Sequence, residues 1–265
     1  MLDAAMTIRE FAPPLTAPSA VIDTLREQGF VVTAPDWVCQ LADVPLPTLL
    51  AANHDWDDLP ADPYLKDGGH YRRRRHGSFV VDAQRCQHVP QRAHFQSPEY
   101  NALHGGMQRW FEPLCPALVD ACWWSRLLMG LSGVCSAALP APRWFVEAHQ
   151  FRIDTHEGIG RPTPEGAHRD GVDFVALFLI GRHGIRGGET RVFSAHGPHG
   201  QRFTLRQPWS VMLLDDTRVI HESTPIQPLA AEHETGGHRD TLVLTFRRDG
   251  FQEPTTPERE HAAPR

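Results

Sequence analysis

Lysine is nearly missing from this chain. Lys66 is the only one, so the 26 basic side chains are otherwise all arginine. That preference carries no chemistry by itself. Positive charge is not in surplus either: the formal net charge is -6, which argues against a general nucleic-acid binder. No apolar run approaches the roughly 20 residues of a membrane span. The longest strong run, residues 174–180, is far too short. The first residues carry Asp3 and no long apolar core, unlike a signal peptide. The five cysteines form no CxxC pair. An odd number without metal spacing reads as reduced, buried thiols of a cytoplasmic protein. Several catalytic signatures are also missing. There is no GxGxxG after a strand, no GxxxxGK[ST], no GxSxG and no internal repeat. His221–Glu222 does not open an HExxH, because Pro225 stands where the second His belongs.

What is there suits a globular domain. The chain has 265 residues, 41% of them hydrophobic and 22% charged. It is long enough to bury a sizeable core without disulfide or metal. Residues 1–15, with Pro13–Pro14, read as a flexible lead, and 251–265 as a loose tail. A helix is expected from Ser19, as cap, to Gln28, with Gly29 ending it. Residues 30–33 read as a strand. Residues 36–53 read as helix interrupted at Pro45 and Pro47. Residues 71–82 read as a strand, and 103–133 as helix in two pieces, with Trp123–Trp124 in a helix core. After Pro140 the texture changes to short β-like runs at 145–153, 173–180, 189–193, 201–205, 210–214, 218–221 and 241–247. Gly, Pro and Asp clusters separate them, which suggests a sandwich or barrel rather than a doubly wound sheet. The expected class is α+β with a mainly β core, in one domain over residues 16–250. Helical and mixed support would occupy 16–140, and the core about 141–250.

One constellation carries chemistry. Residues 165–173 read EGAHRDGVD, and His168 and Asp170 are two apart. On an extended chain such residues point to the same side. About fifty residues on, His221 ends a strand-like run in LLDDTRVIHESTP. Two imidazoles and a carboxylate with open positions make the facial set of non-haem Fe(II) oxygenases. Further on, Arg239 and Thr241 share one face of a strong strand. A guanidinium fork beside a hydroxyl suits a carboxylate at the bottom of a pocket. Arg247 shares the parity of Arg239 and rivals it. Asp215–Asp216 reads as a turn, with a hydrogen bond to a ligand imidazole or loop amide as the alternative. Gly187–Gly188 reads as a turn that needs only backbone freedom.

The order HxD, distant His, then RxT on the last strand resembles the 2-oxoglutarate/Fe(II)-dependent dioxygenases. More narrowly, HQFRI, EGAHRDGVDF, GGETRVF, LLDDTRVIHESTPIQP and HRDTLVLTFR look like the bacterial family of free L-isoleucine hydroxylases. The resemblance spans residues 147–248, with a weaker patch at 62–77. It implies a double-stranded β-helix, a jelly-roll variant. It implies His168, Asp170 and His221 as Fe(II) ligands and Arg239, assisted by Thr241, as the partner of the far carboxylate of 2-oxoglutarate. Fe(II), 2-oxoglutarate and O2 are the implied cofactor and co-substrates. Gln150 and Arg152, from HQFR, are expected in the co-substrate pocket. In RRRRH, Arg73 and Arg75 share a face with Tyr71 and are expected to hold a substrate carboxylate. Arg72 and Arg74 face the other way and are the alternative pair. The implied reaction is hydroxylation of a small molecule, most simply a free L-amino acid, with succinate and CO2 released. The alternatives are a peptide, a carrier-bound amino acid or a natural-product intermediate on the same centre, or a jelly-roll binding module without turnover. Neither nucleic acid nor membrane is expected as a partner.

Overall fold

The structure is a computed structural model and is described over residues 11–229 and 236–254. Helix α1 (Val21–Gln28) follows a 3-10 turn at Pro18–Ala20. Its start has no side-chain cap, so Ser19 does not play that part. It ends at Gly29, whose φ of 79° is the left-handed cap that glycine adopts without strain. Helices α2 (Pro35–Ala42) and α3 (Leu46–Ala51) each carry a proline in the first turn, where its missing N–H costs nothing. The prolines thus start helices as well as ending them.

Helix α4 (Pro116–Val119) and the long α5 (Cys122–Ala138) replace the helix expected from residue 103. Before Pro116 the chain forms turns instead. Asn101 organises them, its side chain accepting from the His104 N–H and its carbonyl from the Gly105 N–H, both at 2.7 Å. The last residues of the expected lead are not loose. Thr16 N–H donates to Val32 at 2.7 Å, and Thr204 N–H donates to Phe11 at 2.9 Å, so residues 11–16 are tied to strands. Residues 1–10 and 255–265 of the expected lead and tail lie outside the described residues.

Among the described residues there are twelve strands, nine on expected runs and three short additions. They are β1 (Phe30–Thr33), β2 (Arg72–Val81), β3 (Cys86–His88), β4 (Trp144–Asp154), β5 (Phe174–His183) and β6 (Ile185–Gly187). Then come β7 (Thr190–Ser194), β8 (Gly200–Phe203), β9 (Val211–Asp215), β10 (Val219–Ser223), β11 (Ile226–Pro228) and β12 (His238–Arg247). The additions, β3, β6 and β11, have three residues each, too few to show a period. The main sheet runs β1-β9-β5-β12-β4-β2-β3, facing a sheet β10-β7-β8 and a ribbon β11-β6. All ladder pairs are antiparallel. This is the mainly β, jelly-roll-type core that the strand pattern predicts.

The main sheet has two different faces, because side chains alternate along a strand. One face carries Phe79 and Val81 of β2, Trp144, Val146 and Ala148 of β4, Phe174, Ala176 and Phe178 of β5, and Leu242, Leu244 and Phe246 of β12. The helices cover it with Leu25, Val38, Trp124, Leu127, Leu128 and Leu131, all buried. Trp123 and Trp124 do lie in this core. The other face turns toward the smaller sheets, and at one end it is apolar, with Val175, Leu177 and Leu179 against Val192, Phe203 and Val219. At the other end it is polar and forms a cavity. The cysteines depart from expectation: only Cys135 is fully buried, Cys122 is exposed, and all five are free.

Trp124 is 1% exposed, whereas Trp110 is 57% exposed. Trp124→Ala should therefore cost about 3–5 kcal/mol in urea denaturation. Trp110→Ala should stay within about 0.5 kcal/mol.

Candidate active site

His168 and His221 meet through the backbone. His168 N–H donates to the His221 carbonyl at 3.0 Å, and His221 N–H returns the bond to His168 at 3.0 Å. Directly opposed residues of an antiparallel pair project their side chains to the same side. The rings accordingly stand 4.7 Å apart. Asp170, two residues on, completes the set: its carboxylate oxygens are 3.7 Å from His168 Nε2 and 3.8 Å from His221 Nε2. One donor atom from each of the three lies within 4.8 Å of the others.

The surroundings fix the orientation of these groups. Gly166 carbonyl accepts from His168 Nδ1 at 2.9 Å, which leaves Nε2 with its lone pair toward Asp170. Asp216 organises the loop: its carboxylate accepts from the N–H groups of Asp170, Gly171 and Val172 at 3.0, 2.8 and 3.2 Å. Asp216 thus takes the loop-amide role, while Asp215 makes the turn by accepting from Thr217 N–H at 3.0 Å. Gln252 donates to the carbonyls of Asp170 and Gly171. Burial pushes the Asp170 carboxyl up, and burial with the Asp170 charge pushes Asp216 up to about 7. Burial opposes a charged His168, but Asp170 and Glu165 outweigh it and raise its pKa. Burial and His168 push His221 well down. Three donors with an anionic charge still in need of compensation suit a divalent cation.

Arg239 lines the same cavity with Thr241. It is 3% exposed, and among the described residues its Nε and Nη2 have no hydrogen-bond partner. A buried guanidinium without a counter-charge is costly, so the slot fits a carboxylate from outside the chain. Burial and the nearby Arg182 push Arg239 down to about 9. Arg182, directly opposite Arg239 on β5, escaped the sequence reading. Gly188 matters here for space as well as backbone freedom. A Cβ there would stand 3.0 Å from Arg182 Nη1 and 3.5 Å from Arg239 Cδ, and its φ is +68°. Arg247 lies apart, in a shallow pocket with Arg169, Asp173 and Asp216.

Gln150 and Arg152 do not reach the cavity. They share the face of Ala148 and point away from it. Gln150 is spent on Cys115 N–H and the Asp55 carbonyl. Arg152 makes a two-pronged pair with Asp240, 2.8 Å on each side, and reaches Asp57 at 3.1 Å. The residues of β4 that do line the cavity are Glu147, His149, Phe151 and Ile153. Arg73 and Arg75 are likewise misplaced, since they share the face of Phe79 and Val81. Arg73 is half-exposed beside Asp154, and Arg75 donates to the carbonyls of Pro113 and Asp58. Arg72 and Arg74, the alternative pair, line the cavity and are buried.

A second cluster, His76, His94, Glu147 and His149, also has metal-like spacing. Its donors are already engaged. Glu147 accepts from His76 at 3.2 Å and His94 at 3.3 Å, and Arg92 stands 3.6 Å away. Arg74 donates to His149 Nδ1 at 2.7 Å, so that ring is neutral with its proton on Nε2. Arg74 itself sits between the rings of Phe111 and Phe151, 3.8 and 4.4 Å from their centres. Burial pushes His94 down to about 3 and His149 well below the ordinary value. The cluster is a neutral-histidine network around one carboxylate, hemmed in by guanidiniums.

The family model of the 2OG-Fe dioxygenases matches residues 53–245, which hold both histidines, Asp170 and Arg239. The chain belongs to this family. It is a dioxygenase that uses Fe(II), 2-oxoglutarate and O2. A BsmA homologue from Methylobium petroleophilum is 52% identical, with a TM-score of 0.85, over 92% of this chain and 98% of that one. IDO from Bacillus thuringiensis is 17% identical, with a TM-score of 0.71, over 89% and 97%. TqaL, an Fe(II)/α-ketoglutarate-dependent dioxygenase, is 18% identical, with a TM-score of 0.67, over 87% of each chain. At those identities the last two show the dioxygenase fold alone. No curated protein matches the chain at a significant level.

The unpartnered guanidinium gives a test of stability. Without 2-oxoglutarate, Arg239→Met should raise the unfolding free energy by about 1–3 kcal/mol. A base held near 9 when folded and at its higher ordinary value when unfolded destabilises the fold fully below 9. That penalty fades as pH rises above 9. The gap between variant and wild type in urea denaturation should therefore shrink between pH 8.5 and 10.5.

Proposed function

We propose that this dioxygenase hydroxylates a free L-amino acid, with His168, Asp170 and His221 holding Fe(II). Arg239 takes the far carboxylate of 2-oxoglutarate, and Thr241 supports it. Bound iron, with 2-oxoglutarate and O2, supplies the oxidising power, releasing succinate and CO2 as one oxygen atom enters a C–H bond. The chain's part is to hold and orient. The Gly166 carbonyl keeps the His168 ring turned, Asp216 holds the loop that carries Asp170, and the cavity walls exclude water.

The observation that supports an amino acid is the wall beyond the triad. It carries ionisable groups of both signs: the buried Arg72, Arg74, Arg109 and Glu147, with the half-buried Glu165. The cavity has about 930 Å³ of atom-free space, counting its mouth. The sequence blocks that resemble those of the free L-isoleucine hydroxylases point the same way. A carrier-bound amino acid or peptide on the same centre is the second reading.

Anaerobic Fe(II) with 2-oxoglutarate should give a visible charge-transfer band in the wild type. His168→Ala, Asp170→Ala and His221→Ala should each lose it, and His149→Ala should keep it. In air, at least one member of a panel of free L-amino acids should raise succinate formation tenfold or more. A band that survives His168→Ala would refute the ligand set. Stimulation by peptides or carrier-bound amino acids, but by no free amino acid, would replace the first reading with the second.

A further inference from the structure

The charges on the cavity wall do not all find partners within the chain. Asp62 is a single carboxylate facing two guanidiniums, with Arg72 Nε at 2.7 Å and Arg74 Nη1 at 3.8 Å. Arg74 has a second partner in His149, while Arg72 Nη2 is buried with none. Arg109 is 2% exposed and donates through Nη2 to Gln96 Oε1 at 2.9 Å. Its Nε is also buried with no partner, and among the described residues no carboxylate stands within ion-pair distance of it. On the same wall, Glu165 has a buried oxygen, Oε2, that accepts from nothing. Its other oxygen is 3.6 Å from His168 Nε2. Glu147, the other acid of the wall, is already satisfied by His76 and His94.

Two donors and one acceptor, all charged and all short of partners, thus line one cavity. Buried charges of this kind are costly unless a ligand completes them. We propose that Arg72 and Arg109 bind the carboxylate of a zwitterionic substrate and that Glu165 accepts from its ammonium group. This inference rests on the free-amino-acid reading and assigns the residues that grip the substrate's charged head. Gln96 adds a consequence for geometry. Its Oε1 accepts from both Arg109 and Asn101, so its Nε2 is the donor to Asp170 Oδ1 at 3.1 Å. The carboxylate anchor therefore sits two hydrogen bonds from a side chain of the triad. A head fixed there sets which C–H bonds of the substrate reach the metal face.

The test uses anaerobic protein loaded with Fe(II) and 2-oxoglutarate, titrated with the twenty protein L-amino acids by calorimetry. The tightest binder is then compared with its C-terminal amide and its N-acetyl derivative. The wild type should bind each derivative at least tenfold more weakly than the parent. Arg109→Gln should weaken the parent at least tenfold and leave acid and amide nearly equal. Glu165→Gln should remove the preference over the N-acetyl form. Arg72→Gln leaves Asp62 short of a partner and can unfold the chain, so Arg109→Gln carries the test. Each variant's charge-transfer band should remain that of the wild type, and Arg109→Gln and Glu165→Gln should melt no lower than it. If both variants keep the wild-type discrimination, the head-group assignment is wrong and the amino-acid reading stands. If no amino acid binds and none stimulates succinate formation, both fall together.

Discussion

Two backbone hydrogen bonds, exchanged between His168 and His221, hold the active centre together. The residues are 53 positions apart in the chain, and the small ladder they form places both rings on one side of it. Everything else at the centre is built on that pairing. Asp170 reaches the rings because it lies two residues beyond His168. Asp216, just before β10, reaches back to hold the amides on which Asp170 rides. The two halves of the centre thus brace one another, and neither would be placed correctly without the other.

The main sheet supplies the second constraint, its period of two. Each of β2, β4 and β12 sends one set of side chains into the helix-covered core and the other into the cavity. The rungs across these strands set the polar floor: Arg239, Ile153 and Arg72 on one, Thr241, Phe151 and Arg74 on the next, then Val243, His149 and His76. Arg239 and Arg72 therefore stand two strands apart on a single rung. One face of one sheet carries both the slot proposed for a dicarboxylate and the wall proposed for a second charged molecule. The cost of burying so many ionisable groups is offset on the opposite face, where Trp124, Trp144, Phe174 and Phe246 are buried almost completely.

Much of this was legible in the residues. The strand runs after Pro140, the turn at Gly29 and the convergence of His168 with Asp170 all follow from local rules of period and capping. Arg239 and Thr241 were legible because they precede Leu242, Leu244 and Phe246, whose alternation declares the other face as core. The same logic, applied to Phe79 and Val81, would have turned Arg73 and Arg75 away from the cavity and Arg72 and Arg74 toward it. Applied to Val146 and Ala148, it would have set aside Gln150 and Arg152 in favour of His149 and Phe151. Those assignments failed because a polar residue in a strand was judged by its chemistry before its parity. Arg109, Gln96 and Glu165 gave no usable signal, since they sit in turns and loops where no period applies.

Local chemistry thus determined the kind of metal donor set, the strand-rich core and the positions where helices could stop, because each depends on a few neighbouring residues. Which polar side chains would be stranded without a partner was decided only by the folded chain. An unpaired guanidinium at 239, or an unpaired carboxylate oxygen at 165, is a statement about every group within a few ångströms, and most of those groups arrive from distant segments.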